Sequence, residues 1–351
     1  MLALISGTAW FLLSRQPMDR LLAALSQVRP QYILLGLGLM AIFVGCEAMC
    51  SKLILGRLGH RLSYRTCLGY SYVGFYVSSI TPSSTGGQPA QIYYMSKDGV
   101  PPAHGSLNMM LIAVCYQVVS LLYAVAAFVG LRQTHQGMGA GLGALLLVGG
   151  GVLVVLTAGM LCMMFLPHAA RRLTGGILKA LVRLRLVKRE AEMRQRLECQ
   201  MEEYRQGAVC LKENLSLLPA LLGLTALQIT SLYAVPYMVY LGFGLSEATF
   251  FQLVGTQALV NLAVGFLPLP GAVGASEGVA LTVFTHFFGA GLVTPAVLVS
   301  RGISFYAFLL ISGVVSLSVH LRTRPPKNVA EAPQVPAADP SPAPGTKREH
   351  P

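Results

Sequence analysis

TPSSTGGQPAQIYY, residues 81–94, is a run of small, polar and helix-breaking residues inside a chain that is 54% hydrophobic and only 11% charged. Apolar segments near or beyond the roughly 20 residues that cross a bilayer lie around it, at 31–50, 105–129, 139–166, 214–243 and 294–319, with a shorter one at 1–14. With a mean hydropathy of +0.60 over 351 residues, the composition is that of a polytopic membrane protein. Two further apolar regions, 66–96 and 247–291, are each broken in the middle, by TPSSTGGQP and by PLPGAVGASEG. Their flanking halves are about 8 to 20 residues long, and the shorter halves cannot cross alone. The expected fold is all-α, with about six spanning helices plus two re-entrant broken-helix hairpins in inverted arrangement.

Charge sets the expected orientation. The formal net charge is +12, yet Lys and Arg gather between apolar stretches without interleaved aromatics, so no nucleic-acid binding is expected. The longest polar segment, 167–213, holds eleven Lys/Arg against six Glu. Its Ile177, Leu178, Leu181 and Val182 suggest an amphipathic stretch lying on an anionic leaflet. By the positive-inside rule that segment faces the cytoplasm, as do the loop 51–65 and the start of the tail. Parity then returns 66–96 to the side it enters from and brings 247–291 in from the opposite side. Arg15, Arg20 and Arg29 run against the charge bias in this scheme.

The run at 1–14 has no basic start and no small-x-small cleavage site, so it reads as a short first span of a membrane domain covering 1–320. Residues 321–351, with eight prolines from Pro325 onward, read as a disordered cytoplasmic tail. The seven cysteines are scattered, and neither a disulfide framework nor a metal site is expected. There is no Walker loop, GxSxG elbow or HExxH pair, so no catalytic residue and no cofactor is expected.

Backbone that is neither helix nor closed barrel is tolerated at membrane depth only where protein or a water-filled cavity surrounds it. Gly86 and Gly87 permit left-handed turns and close backbone approach, and Ser83, Ser84 and Thr85 offer hydroxyls. A helix starting near Gln88 aims free amides back into the cavity, where an anionic group is favoured. In the second cluster Pro268 and Pro270 end one helix, Gly271 and Gly274 bend the chain, and Ser276 caps a helix with Glu277 in its first turn. Two such hairpins in corresponding halves point to a transporter substrate site near the midplane. The competing reading, two interfacial loops with capping residues, accounts for Ser276 and Glu277 but not for helices too short to span. Arg301, about seven residues into an apolar run, needs a partner, and Glu277 is the candidate, as a structural pair or in contact with substrate. Glu47, close to Lys52, is read as snorkelling to water in a structural role.

At these residues the sequence resembles the membrane region of the bacterial lysylphosphatidylglycerol synthase family, also described as flippase-like proteins. The stretches that carry the resemblance are SSTGGQPAQIYYMSKDGV (83–100), PLPGAVGASEG (268–278) and SRGISFYAFLLISG (300–313), and it extends over about 10–320. It implies a multi-pass module of the bacterial cell membrane that moves lipids or lipid-linked headgroups between leaflets. In full-length members this region flips aminoacylated phosphatidylglycerol, which lowers surface negative charge and gives resistance to cationic peptides. The resemblance assigns the substrate cavity to Thr81, Pro82, Ser84, Gly86, Gly87, Gln88 and Gln91, to Pro270, Gly271, Gly274, Ser276 and Glu277, and to Arg301. Some relatives have Gly-Glu followed by Arg where this chain has Gln88 and Gln91, so the first hairpin is uncharged here. The implied partners are membrane phospholipids and anionic headgroups, and a homo-oligomer is compatible with the pattern.

The family name also implies a phosphatidylglycerol lysyltransferase. Full-length members carry an aminoacyl-tRNA-dependent transferase domain after the membrane region, whereas a Pro-rich stretch of about 30 residues follows here. Lipid flippase, lysyltransferase and non-transporting membrane scaffold are therefore the three function classes to separate.

Overall fold

The computed structural model describes residues 26–81, 84–130, 140–165, 205, 209, 213–265, 267 and 269–322. The run at 1–14, Pro82, nearly all of 167–213 and all but the first two residues of the 321–351 tail lie outside the described residues. The described chain is helical with no strand. Its helices are α1 (Pro30–Arg57), α2 (Tyr64–Ile80), α3 (Gly87–Lys97), α4 (Pro102–Gly130), α5 (Ala140–Phe165), α6 (Leu218–Tyr233), α7 (Val235–Gly242), α8 (Phe250–Val264), α9 (Ala275–Arg301) and α10 (Phe308–Arg322).

The helix boundaries follow ordinary local chemistry. Pro30 opens α1, where its missing N–H belongs to the unpaired first turn, and Arg57 closes it beside the carbonyl end. Ser63 caps α2 by accepting the Thr66 N–H at 3.1 Å, and Thr249 and Gln252 form a capping box on α8. α6 and α7 meet at Ala234 and together make one 25-residue apolar span. α9 is broken at Gly289, which has φ 69° and ψ 164° and so divides a hairpin arm from the last span. A π turn, Gly302–Ala307, joins α9 to α10.

Five helical segments are long and apolar enough to cross a membrane: Pro30–Arg57, Pro102–Gly130, Gly143–Met160, Leu218–Gly242 and Ala275–Arg322. Large apolar side chains point outward all along them, among them Leu34, Leu122, Leu147, Val155, Leu310 and Val314. In water such a belt is costly, while in lipid it is the solvated face. The chain is an all-α, multi-pass membrane protein.

Between the spans sit the two broken hairpins. At 1.5 Å per residue, α2 with 17 residues is about 25 Å long and α3 with 11 about 16 Å, both short of the roughly 30 Å hydrocarbon core. The Tyr70 hydroxyl, near the start of α2, donates to the carboxylate of Asp98, just past the end of α3, so both feet of this hairpin stand at one level. That level is the basic end of the bundle. There His60 and His104 ring nitrogens meet at 2.9 Å, Arg57 reaches Asn214 at 3.4 Å, and Tyr94 meets His320 at 2.9 Å. Burial and the His104 ring hold His60 below the usual histidine range, so its protonation opposes folding as pH falls.

The second hairpin, α8 and the first part of α9, has its feet at the other end. There Tyr240 and Phe243 of α7 and its C-cap pack on Phe288, and the Arg29 N–H donates to the Gly242 carbonyl at 3.0 Å. The two hairpins thus enter from opposite ends, the inverted arrangement expected from the sequence. Their tips meet, because the 3₁₀ turn Pro270–Ala272 packs against α2.

Close packing inside the first hairpin rests on Gly87. A Cβ there would stand 2.0 Å from Ser78 Oγ and 2.6 Å from the Gly74 carbonyl oxygen, and backbone cannot yield as a side chain can. Gly87→Ala is expected to cost about 1–3 kcal/mol through overpacking, read as a lowered melting temperature of the detergent-solubilised protein. Gly38→Ala, with nothing within 4 Å of its Cβ position, should leave the melting temperature unchanged or raised.

Candidate functional site

A cavity of about 600 Å³ lies between the hairpin tips. Its wall takes Ser84, Gln88 and Gln91 from the first hairpin and Gly271 and Ser276 from the second. Arg301, Ser300 and Ser304 come from the last span, Glu47 and Phe43 from α1, Gln228 from α6, and Tyr116 and Gln117 from α4. α5, which is exposed along most of its length, closes one side with Val152, Leu153 and Leu156.

The second hairpin's tip is built around one carboxylate. Glu277 is 1% exposed and uses both oxygens. Its Oε2 accepts the Gly274 N–H at 2.7 Å and the Ser276 hydroxyl at 3.1 Å. Its Oε1 accepts Arg301 Nε at 2.7 Å. Gly274, at φ 90°, is the N-cap of α9. Ser276 is therefore not the cap expected from the sequence: it lies inside the first turn, and the glutamate caps its own helix from there. Arg301 also donates from Nη2 to the Gly271 carbonyl at 2.9 Å and stacks on the Phe305 ring at 4.7 Å. Gly271, at φ 58°, leaves room for that ring, since a Cβ would stand 2.3 Å from it. The fork is thus oriented by three contacts, and Nη1 has no hydrogen-bond partner among the described residues.

The first tip is held differently. Thr81 Oγ1 donates to the Val77 carbonyl at 2.8 Å and accepts the Gly86 N–H at 3.0 Å. Ser78 donates to the Ser84 carbonyl at 3.2 Å. Gly86 takes φ −79°, so among the described residues of this turn the left-handed one is Ser84, at φ 54°, rather than either glycine. The glycines serve close approach alone. Gln88 is exposed to the cavity at the start of α3.

The expected site residues therefore divide into two sets. Ser84, Gln88, Gln91, Gly271, Ser276 and Arg301 line the cavity, while Thr81, Gly86, Gly87, Gly274 and Glu277 frame the tips behind it, and Pro270 opens the 3₁₀ turn of the second tip. Pro82 lies outside the described residues. Of the proposed ion pair, only Arg301 faces the cavity.

Glu47 corrects the sequence reading outright. It is not snorkelling at a helix end: it sits inside α1, lines the cavity, and accepts Gln91 Nε2 at 2.9 Å and Gln228 Nε2 at 3.4 Å. The available signal was Glu47 and Gln228, each a polar side chain within an apolar helix, with Gln91 in the short arm of the first hairpin. Gln91 reaches Glu47 because Gly74 has no side chain, as a Cβ there would stand 2.1 Å from Gln91 Nε2. Higher on the wall, the Tyr233 hydroxyl meets Ser120 at 3.1 Å and accepts from Asn261 at 3.2 Å. The cavity has a mostly apolar wall that carries a few charged and amide side chains, among them the cation of the second tip and a carboxylate held by two amides. Among the described residues no group of three or more His, Cys, Asp or Glu is placed to hold a metal ion.

No curated protein matches the sequence. The family model for the lysylphosphatidylglycerol synthase transmembrane region does match, over residues 1–312 of 351. With hairpins, tips and Arg301 all inside that span, the chain belongs to the lysylphosphatidylglycerol synthase transmembrane-region family.

Proposed function

We propose that this chain moves phospholipids, or lipid-linked headgroups, between membrane leaflets by passing the headgroup through the cavity between the hairpin tips. The observation that carries this reading is the meeting of two oppositely inserted tips at one cavity of about 600 Å³, mostly apolar with a few convergent polar groups, a volume within the range of small-molecule sites. Arg301, with its fork held by Glu277, Gly271 and Phe305, presents Nη1 to a lipid phosphate. Ser300 stands on the same wall to offer its hydroxyl to the phosphate oxygens. Aminoacylated phosphatidylglycerol is the substrate the family suggests, in a bacterial cytoplasmic membrane, where its movement would raise resistance to cationic peptides.

The described residues supply no catalytic constellation for lysyl transfer, and a scaffold gives no reason for Arg301, Glu47, Gln88, Gln91 and Gln228 to converge on one cavity inside the bundle. Purified protein in vesicles containing fluorescent phosphatidylglycerol separates the three readings. Wild type should move the lipid, and Gln88→Trp, which fills the cavity from an exposed position, should slow it by about tenfold or more while melting normally. An unchanged rate in that variant would remove the cavity from the path. Transfer of lysine from charged tRNA to phosphatidylglycerol by the purified chain would instead establish the transferase.

A further inference from the structure

Glu47 is the feature that the lipid path leaves unexplained. It lies inside a membrane-spanning helix, and among the described residues no Lys or Arg pairs with it. A bare carboxylate at that depth is costly. The groups that do touch it are two neutral amides, Gln91 from the first hairpin and Gln228 from α6. Both are more than nine-tenths buried, and in both the carbonyl oxygen, Oε1, has no hydrogen-bond partner. A buried acceptor without a donor costs free energy, and two orphaned amide oxygens beside one carboxylate indicate an occupant that accepts electron density.

We propose that Glu47, Gln91 and Gln228 form a site for one monovalent cation, an alkali ion or a proton, whose binding is coupled to lipid movement. The donor set is oxygen only, which suits hard cations, and it carries one negative charge, which a single positive charge neutralises. The two amides provide the switch. With the site empty, their NH₂ groups face the carboxylate. Rotating either amide by half a turn brings its orphaned oxygen to the same place, where it accepts from protonated Glu47 or ligates an ion. Loading therefore exchanges the Gln91 contact that ties the first hairpin to α1, at the wall of the cavity. Gly74 keeps the room this requires. The other titratable groups facing Glu47 are the Cys50 thiol on its own helix and the Tyr116 phenol on α4, and neither is a cation. The coupling rests on the lipid-path reading, whereas the binding does not.

Melting temperature in detergent tests the binding alone, without lipid transport. Replacing choline chloride by sodium chloride at constant ionic strength and alkaline pH should raise the wild-type melting temperature by about 2 °C once sodium is near tenfold over its dissociation constant. If the occupant is a proton, sodium is without effect, and lowering pH in choline chloride should stabilise wild type relative to Glu47→Gln. That difference cancels the opposing response of His60, which both proteins share. Glu47→Gln should respond to neither, having a neutral group in place. Gly74→Ala keeps the carboxylate but displaces Gln91, and should raise the half-saturating concentration of sodium or proton by about tenfold or more, so a poorly folding Glu47→Gln still leaves a decision. Equal responses of wild type and Glu47→Gln to both cations, or an unshifted Gly74→Ala, would overturn the site. Lipid movement would stay untouched by that result, and a sodium or pH gradient imposed on vesicles then reads the coupling.

Discussion

Glu277→Gln should destabilise the fold by about 3–5 kcal/mol, the cost of breaking a buried pair by removing one charge. The geometry says why glutamine cannot substitute. Glu277 accepts on both oxygens, from Gly274 N–H and Ser276 on one side and from Arg301 Nε on the other. A glutamine has one carbonyl, so its NH₂ must face a donor whichever way the amide turns. Arg301→Gln should cost a similar amount, because it leaves a 1%-exposed carboxylate with no cation. The double variant Glu277→Gln/Arg301→Gln removes both charges and should recover most of the lost stability, measured as folded yield and melting temperature. Transport then tells structure from substrate contact. Arg301 faces the cavity and Glu277 does not, so the stable double variant should move anionic lipid about tenfold more slowly or worse, through loss of a charge-assisted contact. Normal transport by that variant would confine Arg301 to holding the tip.

How far the sequence reached can be judged from three places. The spans and the two hairpins were legible because length and Pro/Gly clusters are local signals, and helices such as α3 are too short to read any other way. The boundary between second hairpin and last span was placed near 291–294, and the break falls at Gly289, where a positive φ stops the helix without any proline. Pro295, by contrast, lies inside α9 without ending it, so the residue that looks like the breaker is not the one that breaks. The site was only half legible. That Arg301 pairs with Glu277 followed from charge, but which of the two faces the cavity depends on where the tip is pinned, and Gly271 and Phe305 decide that through tertiary contact. Glu47 was misplaced for the same reason. Its neighbours Gln91 and Gln228 are 44 and 181 residues away in sequence, and only the crossing of α1, α3 and α6 brings them together.

Cysteine labelling of the hairpin feet should give an all-or-none answer. In a cysteine-free background, Arg61→Cys and Lys97→Cys should react from the same side of the membrane with an impermeant thiol reagent, and Glu247→Cys from the opposite side. Arg61 precedes α2 and Lys97 ends α3, so they bracket the first hairpin, while exposed Glu247 precedes α8 at the foot of the second. If 66–96 crossed the membrane once, its two ends would label from opposite sides. The Tyr70–Asp98 hydrogen bond argues against that, since it joins the two ends of the segment directly. So does length: breaking at Thr81 leaves arms of 17 and 11 residues, and an arm of about 16 Å cannot reach across roughly 30 Å of hydrocarbon. Opposite-side labelling of Arg61→Cys and Lys97→Cys would therefore require α2 and α3 to stack end to end. That arrangement would pull Gln91 away from Glu47, and no cavity would remain between the tips.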